Sequence, residues 1–314
     1  MNDLVEASRV RIERGSKSFA TAARLFDRET RASAYMLYAW CRHCDDEIDG
    51  QDFGYDAAAV TQDAARVSLQ RLRSATAQAL AGGADHEVFR ALQHVVDKHQ
   101  IPHKHPYELL DGFEMDVDGR VYHTIDDTLD YSYHVAGVVG VMMAMVMGVR
   151  DRPTLNRASD LGIAFQLTNI ARDIVPDAQV GRVYLPSEWL QEAGLTAADI
   201  GDPQHRAQLY PLAERLLDTA DEYYESALSG IAQLPGRAAW AIAAARNVYR
   251  DIGRVIRSRG PRAWDDRVYV GRTRKLTGIA LGGLQASVAR LAPGAPDDER
   301  SRDGLWTRPD LGDA

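Results

Sequence analysis

The run LGIAFQLTNIARDIVPDAQVGRVYLP, residues 161–186, constrains the fold more than any other stretch of the chain. Placed on a helix, Leu161, Ile163, Ala164, Phe165, Leu167, Ile170, Ala171, Ile174 and Val175 surround nearly the whole axis. A helix that is apolar almost all round belongs in an interior. Its polar residues share one stripe: Gln166, Asn169, Asp173 and Asp177 fall at i, i+3, i+7 and i+11, with Arg172 beside them. Buried carboxylates must be paired or bind a cation. A solvated face does not explain this segment. Polar pairs between packed helices do explain it without a function, and that reading stays open on this segment alone.

A second stretch, YAWCRHCDDEID (38–49), carries a matching pattern. Tyr38, Arg42, Asp45 and Asp49 recur at i, i+4, i+7 and i+11 on one helix face, whereas Asp46 and Glu47 are expected to point elsewhere. Taken alone, this is an ordinary solvated acidic face. Cys41 and Cys44 are the chain's two cysteines, too few for a disulfide scaffold or a structural zinc site. No strand precedes them as in redox motifs of this spacing, so they read as packing residues, and His43 as structural or surface.

Two acidic stripes of equal length, far apart in sequence, are expected to face each other across a cavity. Oxygen ligands suit Mg²⁺ or Mn²⁺ rather than zinc. The arginines Arg42 and Arg172 beside the carboxylates suit a phosphate clamp. Gly137, Gly140 and Ala144, within the apolar run 135–149, are expected to leave room for an apolar tail. A diphosphate with a long hydrocarbon chain satisfies both halves.

The rest of the chain reads as helix. Apolar periodicity covers about 28–48, 56–81, 86–99, 128–149, 156–175, 203–229, 237–258 and 274–291, broken by Gly and Pro clusters, and strand and hairpin signals are missing. The expected architecture is all-α: a single-domain helical bundle, residues 1–292, with a central cavity, followed by a flexible Pro-, Gly- and Asp-rich tail over 293–314. Run 135–149 is short for a bilayer-spanning helix and reads as a buried core helix. The formal net charge of −8 argues against nucleic acid as a partner. The N-terminus has no apolar signal core, so a cytoplasmic location is expected.

Five motifs in order resemble the squalene/phytoene synthase family, closest to its bacterial phytoene-forming members: GSKSF (15–19), YAWCRHCDDEID (38–49), YSYHVAGVVG (131–140), QLTNIARDIVPDAQVGRVYLP (166–186) and RNVYRDIGRVIR (246–257). The resemblance implies metal ligation by Asp45, Asp49, Asn169, Asp173 and Asp177. It implies diphosphate contacts from Ser16, Lys17, Ser18, Tyr38, Arg42, Gln166 and Arg172, with Tyr249 closing the site. The implied catalytic set is Asp45, Asp49, Asp173, Asp177, Arg42 and Arg172. The implied reaction is Mg²⁺-dependent head-to-head condensation of two geranylgeranyl diphosphates through a cyclopropylcarbinyl diphosphate. A C30 reaction on farnesyl diphosphate is the alternative, and a catalytically silent lipid-binding protein of the same fold is the alternative of another class. A chain-elongating prenyltransferase fits less well, because the second motif has arginine before its aspartate instead of a repeated Asp-Asp. No nicotinamide cofactor is expected, since no Gly-rich strand–turn–helix fingerprint is present. Pro176 stands one residue before Asp177, so a kink or a helix end is expected there. Arg246, Arg250, Arg254 and Arg257 form a basic stripe, read first as a solvated helix face and second as a contact with an anionic membrane at the inner face of the cell.

Overall fold

The computed structural model describes residues 2–50, 61–268, 271–291 and 302–308. No strand occurs among them. Thirteen α-helices account for most of the described chain: α1 (Asn2–Gly15), α2 (Lys17–Ala23), α3 (Arg28–Asp49), α4 (Gln62–Leu80), α5 (Glu87–His99), α6 (Lys104–Val117), α7 (Ile125–Ser132), α8 (Val138–Val146), α9 (Arg152–Gln179), α10 (Ser187–Glu192), α11 (Arg206–Gln233), α12 (Gly236–Arg259) and α13 (Arg272–Leu291). The sequence pattern anticipates most of them, but not α1, α2, α6 or α10. Of the expected helix 56–81, residues 56–60 lie outside the described residues, and 62–80 is helical.

The bundle is organised around α9, which packs against α8, α11 and α12. Asp151 caps its start by accepting from the Thr154 N–H at 2.9 Å, and Pro153 fits the first turn, where no backbone donor is needed. Arg152-Pro153, read as a break, is therefore a helix start. Pro176 does not end α9 at once: the helix runs on to Gln179 and stops before Gly181, whose φ of 83° favours glycine. Asp177 thus stays on the helix beside Asp173. The first acidic stripe lies on α3, capped by Asp27 and closed by Gly50 in the left-handed region.

The apolar run around 135–149 is interior, as expected: Val138, Val141, Met142, Ala144, Met145 and Val146 are buried. Ile125–Val146 is long and apolar enough to cross a membrane by length and composition, and most of it is covered by the rest of the protein. A π-helical turn at Tyr133–Gly137 joins α7 to α8. The glycines of this run do not leave room for a ligand, contrary to expectation. A methyl group at Gly140 would strike the Ala158 carbonyl of α9, and one at Gly162 would strike the Ala136 carbonyl. Glycine here lets α8 and α9 touch backbone to backbone, and Ala144 is fully buried.

The part of the tail that is described, 302–308, is docked on the bundle rather than loose. Arg302 grips the fully buried Asp160 of α9 through two hydrogen bonds, Nε–Oδ2 at 2.8 Å and Nη2–Oδ1 at 2.6 Å. Trp306 donates its backbone N–H to the Tyr223 hydroxyl at 3.0 Å, and Arg308 donates to the Tyr133 hydroxyl at 3.2 Å. The aromatic and arginine residues in a Pro- and Asp-rich segment supply the anchors that its composition hides.

Candidate active site

Helices α3 and α9 bring the two acidic stripes together. The link is direct: Arg182, just past the end of α9, donates to Asp49 of α3 at 2.5 Å. On α3, Arg42 spans Asp45, at 3.0 Å, and Asp46, whose Oδ1 accepts from Nε at 2.9 Å. Asp46, expected to point away, therefore shares the site's arginine; its i, i+4 spacing from Arg42 is the signal for this. Glu47 does turn away, toward Arg71 of α4 at 4.0 Å. On α9, Arg172 Nε donates to Asp173 Oδ1 at 2.9 Å, and Asn169 lies 3.5 Å from Gln166.

The carboxylates crowd one another. Burial, and then the neighbouring Asp49, raise the Asp45 carboxyl well above its usual range, even with Arg42 nearby. Burial and Asp173 push Asp177 up to about 8 despite Arg182 and Arg172. Groups held this far from their solution behaviour mark functional sites more often than scaffolds. The Asp45 side chain nonetheless keeps 39% of its surface accessible, so it lines open space while protein surrounds it.

Tyr249 of α12 closes the other side. Its ring stacks on Phe165 of α9, with centroids 4.3 Å apart, and meets Phe19 of α2 at 5.2 Å. Burial raises its hydroxyl to about 12, with Arg172 and Asp173 both close enough to act on it. Tyr38 of α3 meets the same Phe19 at 6.3 Å and feels both Tyr249 and Asp45. Ser16 caps α2 by accepting from the Phe19 N–H at 3.3 Å. Gly15 sits in close approach to Tyr38: a Cβ there would lie 2.5 Å from the tyrosine hydroxyl, so the ring would have to shift. The Gly-Ser-Lys-Ser-Phe segment thus lies against Tyr38, although the side chains of Lys17 and Ser18 lie outside the described residues.

The sequence reading missed two charged members of the site, Arg182 and Asp116. Asp116, on the unanticipated α6, accepts from the Tyr131 and Tyr184 hydroxyls, each at 2.9 Å. Burial raises it to about 6, against the pull of Arg182. Arg182 and Tyr184 belong to the Gly-Arg-x-Tyr-Leu-Pro run that directly follows the second stripe, which was the available signal. A small cleft beside Ile174 is lined by Asp177, Arg182 and Tyr184.

The cysteines and His43 are structural. Cys44 is buried, Cys41 partly so, and His43 stacks on His86 with centroids 5.4 Å apart. The arginine stripe of α12 is largely paired rather than free in solvent, with Arg254 the most exposed of the four. Arg250 and Arg257 pair with Asp221, Glu225 and Asp218 of α11, Arg254 pairs with Asp251, and Arg246 is buried with its Nε on the Tyr224 carbonyl.

An all-α bundle in which two helices oppose carboxylates and arginines under an aromatic cover defines a protein that handles diphosphates of apolar chains. The pattern of the family described as squalene/phytoene synthase matches residues 12–274, and the chain belongs to that family. It is 51% identical over 310 residues to a 15-cis-phytoene synthase of Paracoccus sp. (strain N81106 / MBIC 01143), covering 98% of this chain and 99% of that protein. It is 50% identical over 298 residues to a 15-cis-phytoene synthase of Enterobacter agglomerans, covering 95% of this chain and all of that protein (100%). Among solved structures, a dehydrosqualene synthase in complex with ligand superposes with a TM-score of 0.81 at 28% identity, covering 91% of this chain and 98% of that one.

Proposed function

We propose that the chain is a phytoene synthase. It joins two geranylgeranyl diphosphates head to head through prephytoene diphosphate, in a cytoplasmic setting at the inner face of the cell membrane. The observation that carries this reading is the half-identity to 15-cis-phytoene synthases over nearly the whole chain, supported by both acidic stripes being intact and by Arg182, just past the second, bonding Asp49 of the first. The identity to the dehydrosqualene synthase is much lower, at 28%, which favours the C40 product over C30.

The residues at hand fit a hard divalent cation. Asp45 and Asp49 on one side, and Asn169, Asp173 and Asp177 on the other, offer only oxygen donors, as Mg²⁺ or Mn²⁺ prefers. No three carboxylate, His or Cys side chains converge on one point among the described residues. Asp45, Asp49 and Asp173 each face an arginine instead. A diphosphate that draws Arg42, Arg172 and Arg182 to its own oxygens frees those carboxylates for a cation. Bound there, Mg²⁺ supplies positive charge to a departing diphosphate.

The chain's own groups do the rest. Arg42 and Arg172, each held by carboxylates on its own helix, are preorganised donors for negative charge developing on the leaving oxygens. Loss of diphosphate from the first substrate leaves an allylic cation. The double bond of the second substrate attacks it and a proton leaves, giving prephytoene diphosphate. That intermediate loses its own diphosphate, rearranges and sheds a second proton to give the hydrocarbon. Phe19, Phe165 and Tyr249 cover the site with aromatic surface, excluding water that would quench each cation. No covalent nucleophile takes part, and no nicotinamide is consumed.

The test is incubation of the purified chain and Mg²⁺ with geranylgeranyl or farnesyl diphosphate, followed by mass analysis of the extracted hydrocarbon. Phytoene from the C20 substrate is the expected product. Turnover of farnesyl diphosphate alone overturns the assignment, and linear diphosphate products point to chain elongation instead.

A further inference from the structure

The tail segment 302–308 meets the bundle at the π-helical turn Tyr133–Gly137, a conformation that is rare and occurs mostly at functional sites. The chain enters this turn from the acidic site. Tyr131 donates to Asp116 at 2.9 Å and stacks on Tyr184, with centroids 4.6 Å apart. Asp116 also accepts from the Tyr184 hydroxyl and lies in the field of Arg182 and Asp49. Residues two apart on a helix point to opposite sides. Tyr133, the first residue of the turn, accordingly faces away from that cluster. It is buried, donates to Glu108 of α6 at 2.9 Å, and accepts from Arg308 of the tail at 3.2 Å.

The turn is gripped from three directions. On the α6 side, a Cβ at Gly112 would lie 2.8 Å from Val135 Cγ1. On the α9 side, one at Gly162 would strike the Ala136 carbonyl, and one at Gly137 would lie 3.0 Å from Ser159 Oγ. The tail holds the Tyr133 side. Trp306 sets its ring 5.8 Å from that of Tyr133 while its N–H bonds Tyr223 of α11, and the Arg308 guanidinium lies 6.0 Å from the Tyr133 centroid. Arg302 anchors the segment on Asp160, the residue next to Ser159. The charge of Arg308 also answers a buried group. Burial alone would raise the Glu108 carboxyl, but hydrogen bonds with His105 and Tyr133, and the nearby Arg308, hold it below its usual range. A loose surface segment leaves its arginines to water, whereas this one turns two of them onto buried partners.

We infer that Trp306 and Arg308 are positioning residues for the condensation: the strap 302–308 fixes the π-helical turn through Tyr133, and the turn fixes Tyr131 on Asp116 inside the site. Arg302 on Asp160 is the anchor, and Arg308 on Tyr133 is the working contact. The hold on the turn stands on this geometry, while its effect on turnover rests on the phytoene-forming reading.

The experiment is steady-state kinetics of full-chain variants on geranylgeranyl diphosphate with Mg²⁺, with hydrogen exchange of segment 131–140 followed on the same proteins. Arg308→Ala removes the working contact and leaves the anchor. It should lower kcat about tenfold with KM held within about twofold, because a displaced turn spoils reacting geometry more than substrate uptake. Arg308→Lys, which keeps a charged donor, should recover most of that loss. Combined with Tyr133→Phe, the loss should fall well short of the product of the two single losses, since both cut one link. Segment 131–140 should exchange severalfold faster in Arg308→Ala, while α4 exchanges as before. Should Arg308→Ala disturb folding, Trp306→Leu carries the same test with a severalfold fall in kcat. An unchanged kcat beside a lowered melting temperature overturns the inference, because the strap then serves stability alone. A rise in KM at constant kcat overturns it too, as does a combined loss equal to the product of the single ones. A chain that makes no hydrocarbon, but loosens over 131–140 in Arg308→Ala, keeps the strap and removes its part in the reaction. A chain that makes phytoene at one kcat with or without Arg308 removes the positioning role and leaves the enzymatic reading intact.

Discussion

The two halves of α9 treat buried charge in opposite ways. In the first half, Asp160 is fully buried and fully answered: Ser226 and Arg302 both donate to it, and Arg157 reaches the same Ser226 at 2.7 Å. In the second half, Arg172 of the same helix holds Asp173, while Asp177, buried and crowded by Asp173, is driven up to about 8 despite Arg182, which is bonded to Asp49 of α3. One helix thus carries a structural charge that is matched by the fold and a functional charge that awaits a ligand. Satisfied buried charges hold a fold together, whereas crowded ones cost stability and are kept for what they bind.

That contrast can be broken by experiment. The largest effect is expected at Asp160. Asp160→Ala leaves Arg302 without its carboxylate and Ser226 without its acceptor, and should cost about 3–5 kcal/mol of unfolding free energy, measured by urea titration; a loss below 1 kcal/mol would make the cluster incidental. In the second half, Asp173→Ala should lower turnover by about a hundred- to a thousandfold. Its melting temperature should hold or rise, because a repulsive neighbour of Asp177 is gone. A marked fall in melting temperature would move Asp173 into the structural class. Gly162→Ala, at the backbone contact with the π-helical turn before α8, should destabilise by about 1–3 kcal/mol without changing product identity. The smallest effect is expected for Tyr249→Phe, which keeps the stacked ring and removes one hydroxyl: a fall in kcat of about fivefold, near 1 kcal/mol, with hydrocarbon still the product. Diversion to water-quenched alcohols would instead show that the hydroxyl, not the ring, guards the cations.

The same contrast explains what was legible in the sequence. The stripes on α3 and α9 were readable because helical spacing alone puts Asp45 with Asp49 and Asp173 with Asp177. The partners across the hollow were not, because Arg182 and Asp116 reach the site from a loop and from α6, with no periodicity linking them to either stripe. Ser16, Lys17, Ser18 and Tyr249 rested on family resemblance, and the close approach of Gly15 to Tyr38 depends on tertiary packing. The glycines of 135–149 misled for a physical reason: a missing side chain leaves space only if the neighbour does not move in, and here α9 does. Arg250 and Arg257 of α12 read as a solvated face because their acidic partners lie on another helix. The tail looked loose because composition does not reveal a single arginine aimed at a buried aspartate.

The claim beneath all of this is that α3 and α9 act on one diphosphate. Calorimetric titration of inorganic pyrophosphate in the presence of Mg²⁺ tests it without depending on the hydrocarbon chain. Unaltered protein should bind, and Asp45→Ala and Asp173→Ala should each weaken binding by at least about tenfold, or 1.4 kcal/mol. If Asp45→Ala bound pyrophosphate as the unaltered chain does while Asp173→Ala lost it, the two helices would not share a site, and the account would be contradicted.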